Sequence, residues 1–150
     1  VTSAQQMYEA CHNHFSGCDV AILSAAVADY RPSQVADQKI KKSDDSLHIE
    51  LVKNPDILLW AGENKTSDQI LVGFALETEN LLENGKKKLQ KKNLNCIVLN
   101  TLQDNGAGFG VDTNKISILD NHNNLQEFEL KSKTEVAADI VDYVKNYATK

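Results

Sequence analysis

Cysteine is scarce and irregularly spaced in this chain: Cys11, Cys18 and Cys96 form an odd set with no repeated interval. That argues against a disulfide framework and points to reduced thiols in a cytoplasmic protein. Long apolar runs are missing as well. The longest, residues 20–28, is interrupted by Ser24 and falls short of the roughly 18–20 residues that a membrane-spanning helix needs. No secretory signal is visible, so no membrane partner is expected. Positive charge does not dominate, since the net charge is −5, and only 6% of residues are aromatic. Both features argue against a nucleic-acid partner. Internal repeats and low-complexity tracts are absent. Gly106, Gly108 and Gly110 have the wrong spacing for a dinucleotide fingerprint and do not open a helix, which excludes a Rossmann oxidoreductase domain of the usual kind. The sole methionine is Met7, and Val1-Thr2-Ser3-Ala4 reads as the entry to a helix; the start of the fold is expected upstream.

What is present is a globular composition. Hydrophobic residues make up 41% and charged residues 25% of the 150 positions, enough for one domain with one core. The lysines are bunched: Lys39, Lys41, Lys42 and Lys53 form one group, and Lys86, Lys87, Lys88, Lys91 and Lys92 a second. In an acidic protein, two concentrated basic segments suggest a local anionic ligand.

Periodicity predicts a helix over 3–16, with Met7, Cys11 and Phe15 on one face and Gly17 as its stop. Residues 19–28 read as a strand covered on both sides. Residues 39–41 and 47–52 alternate, with 43–46 as the turn of a hairpin set off from the main sheet. Asn54 is placed to cap a helix with Pro55 at its first position, and Ile57, Leu58 and Ala61 form its buried face. A strand over 69–75 leads to a helix over 80–92, with Leu81, Leu82 and Leu89 inward. Residues 95–99 form a third buried strand, and 100–113 a loop. A hairpin over 115–119 and 126–130 follows, and Ser132 with Glu135 opens the last helix as a capping box. Its apolar face is Val136, Ile140 and Val144. The fold class is α/β: a Rossmann-like, mostly parallel sheet flanked by helices, with a protruding hairpin and a C-terminal antiparallel hairpin.

Ligands in such sheets bind beyond the carboxyl ends of the strands. Residues 25–31, 73–80 and 100–110 leave three such ends and would converge if the strands are neighbours. Lys88 and Lys92 share a helix face, where two ammonium groups repel unless an anion or solvent intervenes. A triphosphate would suit them; so would plain solvation. Asp29 could bind a sugar hydroxyl, order a metal-bound water, or cap a turn. Asn54-Pro55-Asp56 could bind an anion at a helix start or simply cap it. His12 and His14 point in different directions on a helix, so Cys11, His12, His14 and Cys18 make a poor metal cluster. The metal ligands are unassigned.

Six blocks in fixed order take the reading further: Ser24-Ala25-Ala26-Val27-Ala28-Asp29-Tyr30-Arg31-Pro32, Lys39-Ile40-Lys41-Lys42, Leu51-Val52-Lys53-Asn54-Pro55-Asp56-Ile57-Leu58, Gly73-Phe74-Ala75-Leu76-Glu77-Thr78, Lys88 with Lys92, and Gly108-Phe109-Gly110 with Asp112 and Asn114. Together they resemble the phosphopantothenoylcysteine synthetase family over about residues 20–115. The resemblance implies a ligase of coenzyme A biosynthesis that activates 4′-phosphopantothenate with a nucleoside triphosphate and then couples cysteine. It places Leu23, Ser24, Ala25, Asp29, Pro55, Asp56, Ile57, Leu58 and Phe74 at the nucleotide, and Lys88 and Lys92 on the triphosphate. Lys39 is implied at the reacting phosphates as the catalytic residue. The Lys-Ile-Lys-Lys form resembles the bacterial type, which implies CTP, normally with Mg²⁺. A homodimer through residues 30–53 is implied, a higher oligomer if a decarboxylase domain is fused upstream, and FMN only in that case. The family's upstream glycine-rich turn and Asn-x-Ser-Ser-Gly segment have no counterpart here, so residues 1–150 are expected to be part of one synthetase domain. The alternative reading is a non-catalytic nucleotide-binding or dimerisation fragment of a Rossmann-like protein.

Overall fold

The computed structural model describes residues 1–40, 47–77, 79–101 and 110–149. Helix α1 (Ala4–Phe15) starts at Ser3, whose hydroxyl accepts the Gln6 N–H at 3.1 Å while Gln6 Oε1 accepts the Ser3 N–H at 3.2 Å. This reciprocal box satisfies two donors that the first helical turn leaves free. Strand β1 (Val20–Leu23) follows, then β2 (Tyr30–Pro32), β3 (Leu51–Lys53), α2 (Ile57–Asn64), β4 (Ile70–Glu77), α3 (Leu81–Lys91) and β5 (Cys96–Thr101). The C-terminal part holds β6 (Thr113–Asn114), β7 (Ser117–Asp120), β8 (Leu125–Glu127), β9 (Lys131–Ser132) and α4 (Lys133–Ala148).

The main sheet has the order β1-β4-β5-β7-β8. β1, β4 and β5 run parallel, and the β7–β8 hairpin extends them antiparallel. Alternation along the central strands divides the core. Leu71, Ala75, Ile97 and Leu99 pack with Phe15 of α1, Ala61 of α2 and Leu89 of α3 on one face. Ile70, Val72, Cys96, Val98 and Ile118 meet Val136, Ile140 and Val144 of α4 on the other. The expected α/β architecture with its C-terminal hairpin and capping-box helix is therefore present.

Four local expectations are corrected. β1 is shorter than residues 19–28 and is not covered on both sides. It is an edge strand: Ala21 and Leu23 pack inward, whereas Val20 and Ile22 are each 40% exposed on the face where α4 packs over the central strands. The protruding ribbon is β2 against β3, with Tyr30 opposite Lys53, Arg31 opposite Val52 and Pro32 opposite Leu51. Lys39, Ile40 and residues 47–50 are not strand, and the expected turn at 43–46 lies outside the described residues. The pairing follows a local lock in which Arg31 Nη1 donates to the Lys53 carbonyl at 2.9 Å. Leu82 is exposed, and the inward row on α3 is Leu81, Gly85 and Leu89, because a Cβ on Gly85 would stand 2.6 Å from Leu99 Cδ2. Finally, Asp56 rather than Asn54 caps α2, accepting the Leu59 N–H at 3.0 Å.

Among the described residues, buried side-chain polar groups are matched. Gln69 Nε2 donates to the Phe15 and Cys18 carbonyls, both at 2.8 Å, tying the end of α1 to the start of β4. Asp120, 2% exposed, accepts the backbone N–H groups of His122 and Asn124, the Asn124 amide and the Tyr143 hydroxyl. Burial works to raise its carboxyl pKa, yet the Asn124, His122 and Tyr143 donors outweigh burial and hold it below the ordinary range. Beside it, burial and then the Asp120 charge push the Cys96 thiol up to about 12, so this thiol is a packing group rather than a nucleophile. No helix among the described residues is long and apolar enough to cross a membrane.

Candidate nucleotide site

β1 ends at Leu23, opposite Gly73 midway along the parallel strand β4, and residues 24–29 lead away from that end toward β2. Asn54 holds these pieces together with three of its polar groups. Its backbone N–H donates to the Asp29 carbonyl at 2.8 Å, its Nδ2 to the Ala28 carbonyl at 2.8 Å, and its Oδ1 accepts Arg31 Nη1 at 3.0 Å. The arrangement leaves a cleft of about 170 Å³ between the two loops.

Leu23, Ala25, Asp29, Pro55, Asp56, Ile57, Leu58, Phe74 and Lys92 all line this cleft. Residues drawn from β1, its following loop, α2, β4 and α3 are thus brought together. Lys92 Nζ donates to Asp56 at 3.0 Å. Burial pulls the Asp56 pKa upward, but the Leu59 N–H and the Lys92 ammonium prevail and hold it below the ordinary value. The same carboxylate therefore caps α2 and faces a lysine on α3.

Lys88 sits one turn before Lys92, and its Nζ donates to Glu77 Oε1 at 2.5 Å. Each lysine of the pair has its own carboxylate, which offsets the repulsion expected between two adjacent ammonium groups. Ser24 is not in the cleft. It lines a neighbouring groove with Met7, Cys11, Phe15 and β1. Lys39 is exposed on the segment after β2 and does not line the cleft. Of the loop expected over 100–113, Asn100 and Thr101 belong to β5, Thr113 to β6, and residues 102–109 lie outside those described.

Several residues of the cleft escaped sequence reasoning. Met7, Val27, Ala28 and Asn54 line it. Met7 carried only a helix-face signal, and Asn54 read either as an anion contact at a helix start or as a cap. The expected poor metal cluster on α1 has other partners: His12 stacks against Tyr8 and Trp60, and Cys18 Sγ donates to the Phe15 carbonyl. A second cleft of about 340 Å³ lies between β8 and α4, but Asp139 and Asp142 line it, which disfavours an anion there.

The family described as the DNA/pantothenate metabolism flavoprotein C-terminal domain matches residues 1–147. This chain belongs to that family. Among family relatives, the coenzyme A biosynthesis bifunctional protein CoaBC of Bacillus subtilis (strain 168) is 42% identical over 144 residues, covering 96% of this chain and 35% of the relative. A protein named cysteine/cysteine sulfinic acid decarboxylase, from an unknown prokaryotic organism, is 51% identical over 141 residues, covering 94% of this chain and 39% of that protein. The solved C-terminal domain of a CoaBC superposes with a TM-score of 0.77 at 41% identity, covering 97% of this chain and 64% of the solved chain. The flavoprotein C-terminal domain described here thus spans well under half the length of these curated relatives.

Proposed function

We propose that this domain supplies the nucleotide site of a phosphopantothenate–cysteine ligase of coenzyme A biosynthesis. The observation that carries the reading is the convergence of Leu23, Ala25, Asp29, residues 55–58, Phe74 and Lys92 on one cleft at the strand ends. Membership of the flavoprotein C-terminal domain family and likeness to CoaBC support it. The decarboxylase name belongs to a longer relative, of which this chain covers 39%.

The chemistry follows from charge. A carboxylate is a poor acceptor for an amine until it carries a good leaving group. In the proposed reaction, the carboxylate oxygen of 4′-phosphopantothenate attacks the α-phosphorus of CTP. The bond to the bridging oxygen breaks, pyrophosphate leaves, and an acyl-cytidylate forms. The amine of cysteine then attacks the activated carbonyl, loses a proton and expels CMP. Two anions meet in the first step, so cations must offset their repulsion and the charge developing on pyrophosphate. Lys92 and Lys88 provide that on the nucleotide side, and Lys39 is the proposed catalytic lysine. The hydrophobic walls from Leu23, Ile57, Leu58 and Phe74 orient the nucleotide. Among the described residues no three His, Cys, Asp or Glu side chains converge as a metal site. Mg²⁺ is proposed to enter with the nucleotide substrate, held mainly by phosphate oxygens.

A thermal melt tests the nucleotide. A ligand that binds only the folded state raises the melting temperature by mass action. MgCTP is expected to raise it at concentrations where MgATP has little effect. No rise with either nucleotide would remove the reading, and an equal rise would remove the assignment to CTP.

The ribbon and its flanks expose Tyr30, Val35, Ile40, Leu47, Ile49 and Leu51, each more than half accessible. Such an apolar row on a protrusion suits an isologous contact with a second copy of the chain. Sedimentation should show a dimer that Ile49→Lys with Leu51→Lys dissociates; a wild-type monomer at micromolar concentration would rule this out.

A further inference from the structure

Glu77 closes β4, and its side chain is only 15% exposed, whereas that of its partner Lys88 is 45% exposed. A carboxylate this far withdrawn from water is tolerated only when its oxygens are matched. Both are matched by α3. Oε1 accepts Lys88 Nζ at 2.5 Å and Oε2 accepts Asn84 Nδ2 at 3.1 Å. Asn84 Nδ2 also reaches the Glu79 carbonyl at 3.1 Å, which fixes the amide against the turn leading into the helix. Asn84 and Lys88 are four residues apart and lie on one face of α3. The order of constraint is therefore clear: turn and strand hold Asn84 and Glu77, and Glu77 holds the ammonium of a long, half-exposed lysine.

We infer that Glu77 is a positioning residue: it orients Lys88 toward the β- and γ-phosphates of the nucleotide. This rests on the reading of the cleft as a nucleoside triphosphate site. An ammonium group has three donors, and Glu77 uses one. The remaining donors are left for phosphate oxygens, one turn before Lys92, which caps α3 and lines the cleft. Without Glu77 the four-carbon stem of Lys88 samples many rotamers, and ordering it on binding costs affinity. The anchored ammonium is pre-ordered. Because Lys88 lies a turn away from the lined cleft, its effect falls on the outer phosphates and not on the nucleoside or α-phosphate.

The test is a calorimetric titration of the chain with MgCTP and with CMP, using wild type, Glu77→Gln, Lys88→Gln and the double variant. Glutamine keeps the shape and the contact with Asn84 but removes the charge that holds Lys88. Glu77→Gln is expected to weaken MgCTP about 3–20-fold and to leave CMP within about twofold. In the Lys88→Gln background it should add almost nothing, since its effect passes through Lys88. Unchanged or tighter MgCTP binding by Glu77→Gln would overturn the inference, the tighter case making Glu77 a competitor of the phosphates. Equal losses for CMP, or additive losses in the double variant, would assign Glu77 to the fold alone and overturn it too. If wild type binds neither nucleotide, the underlying reading fails, an outcome distinct from a wild type that binds normally beside an indifferent Glu77→Gln.

Discussion

Gly62→Ala is expected to lower the melting temperature by roughly 6–12 °C, the equivalent of about 3 kcal/mol in a chain of this size. A Cβ built on Gly62 would stand 1.9 Å from the carbonyl oxygen of Lys92 and 2.8 Å from its carbonyl carbon. Both are backbone atoms, so no flexible side chain can swing away. The contact is also cross-linked, since Asn93 Nδ2 donates to the Gly62 carbonyl at 2.8 Å. Relief requires α2 and the end of α3 to separate, and that exposes Ala61, which is 1% accessible. Lys92 would move with its own backbone, away from Asp56 and the cleft. Nucleotide binding should therefore weaken along with stability. Gly17→Ala is the control: its nearest neighbour to a new Cβ is the His14 carbonyl at 3.8 Å, an ordinary contact, and its effect should stay within about 0.5 kcal/mol. A shift below about 2 °C for Gly62→Ala would show that the two helices part without cost, and that their close approach does not place Lys92.

That glycine was not legible in the sequence, and the reason is instructive. A helical glycine carries no signal until the partner backbone is known. Gly62 and Gly85 both mark close approach between elements, and only the fold identifies what approaches. By contrast, α4 was readable residue by residue: Ser132 and Glu135 form a local box, and Val136, Ile140 and Val144 repeat at helical spacing. Central strands β4 and β5 were equally plain, because continuous apolar runs between helices have few alternatives. Errors fell at the margins of the sheet. Residues 19–28 looked like a central strand because the run is apolar apart from Asp19 and Ser24, but composition does not distinguish a strand's interior from its edge. The ribbon was misplaced because alternation at 39–41 competed with Arg31, whose hydrogen bonds to Lys53 and Asn54 select the β2–β3 pairing. For the site, motif resemblance named most of the residues that line the cleft. It could not separate Asp56 the helix cap from Asp56 the partner of Lys92, since one carboxylate does both. Nor could it distinguish Ser24, which lines only the neighbouring groove, from Ala25, which lines both that groove and the cleft.

On the proposed ligase reading, Lys39→Gln and Lys92→Gln should fail in opposite ways. Lys92 lines the cleft and already holds a defined ion pair with Asp56. In the proposed site it would meet the nucleotide in the ground state, so its loss should weaken CTP about 10–100-fold, the usual worth of one charge-assisted contact. Lys39 lies on the exposed segment beyond β2 and does not line the cleft. Its proposed role begins when charge builds on the departing pyrophosphate, and a group that acts only then changes turnover more than affinity. Lys39→Gln is accordingly expected to lower turnover about 10²–10³-fold, the scale of one preorganised electrostatic donor, with CTP affinity altered less than about threefold. Pyrophosphate release in the presence of 4′-phosphopantothenate measures the first quantity, and titration with MgCTP the second. Near-normal turnover would remove Lys39 from the chemistry. A loss confined to affinity would move it into ground-state binding, and the exposed segment after β2 would then have to fold over the cleft before the reaction begins.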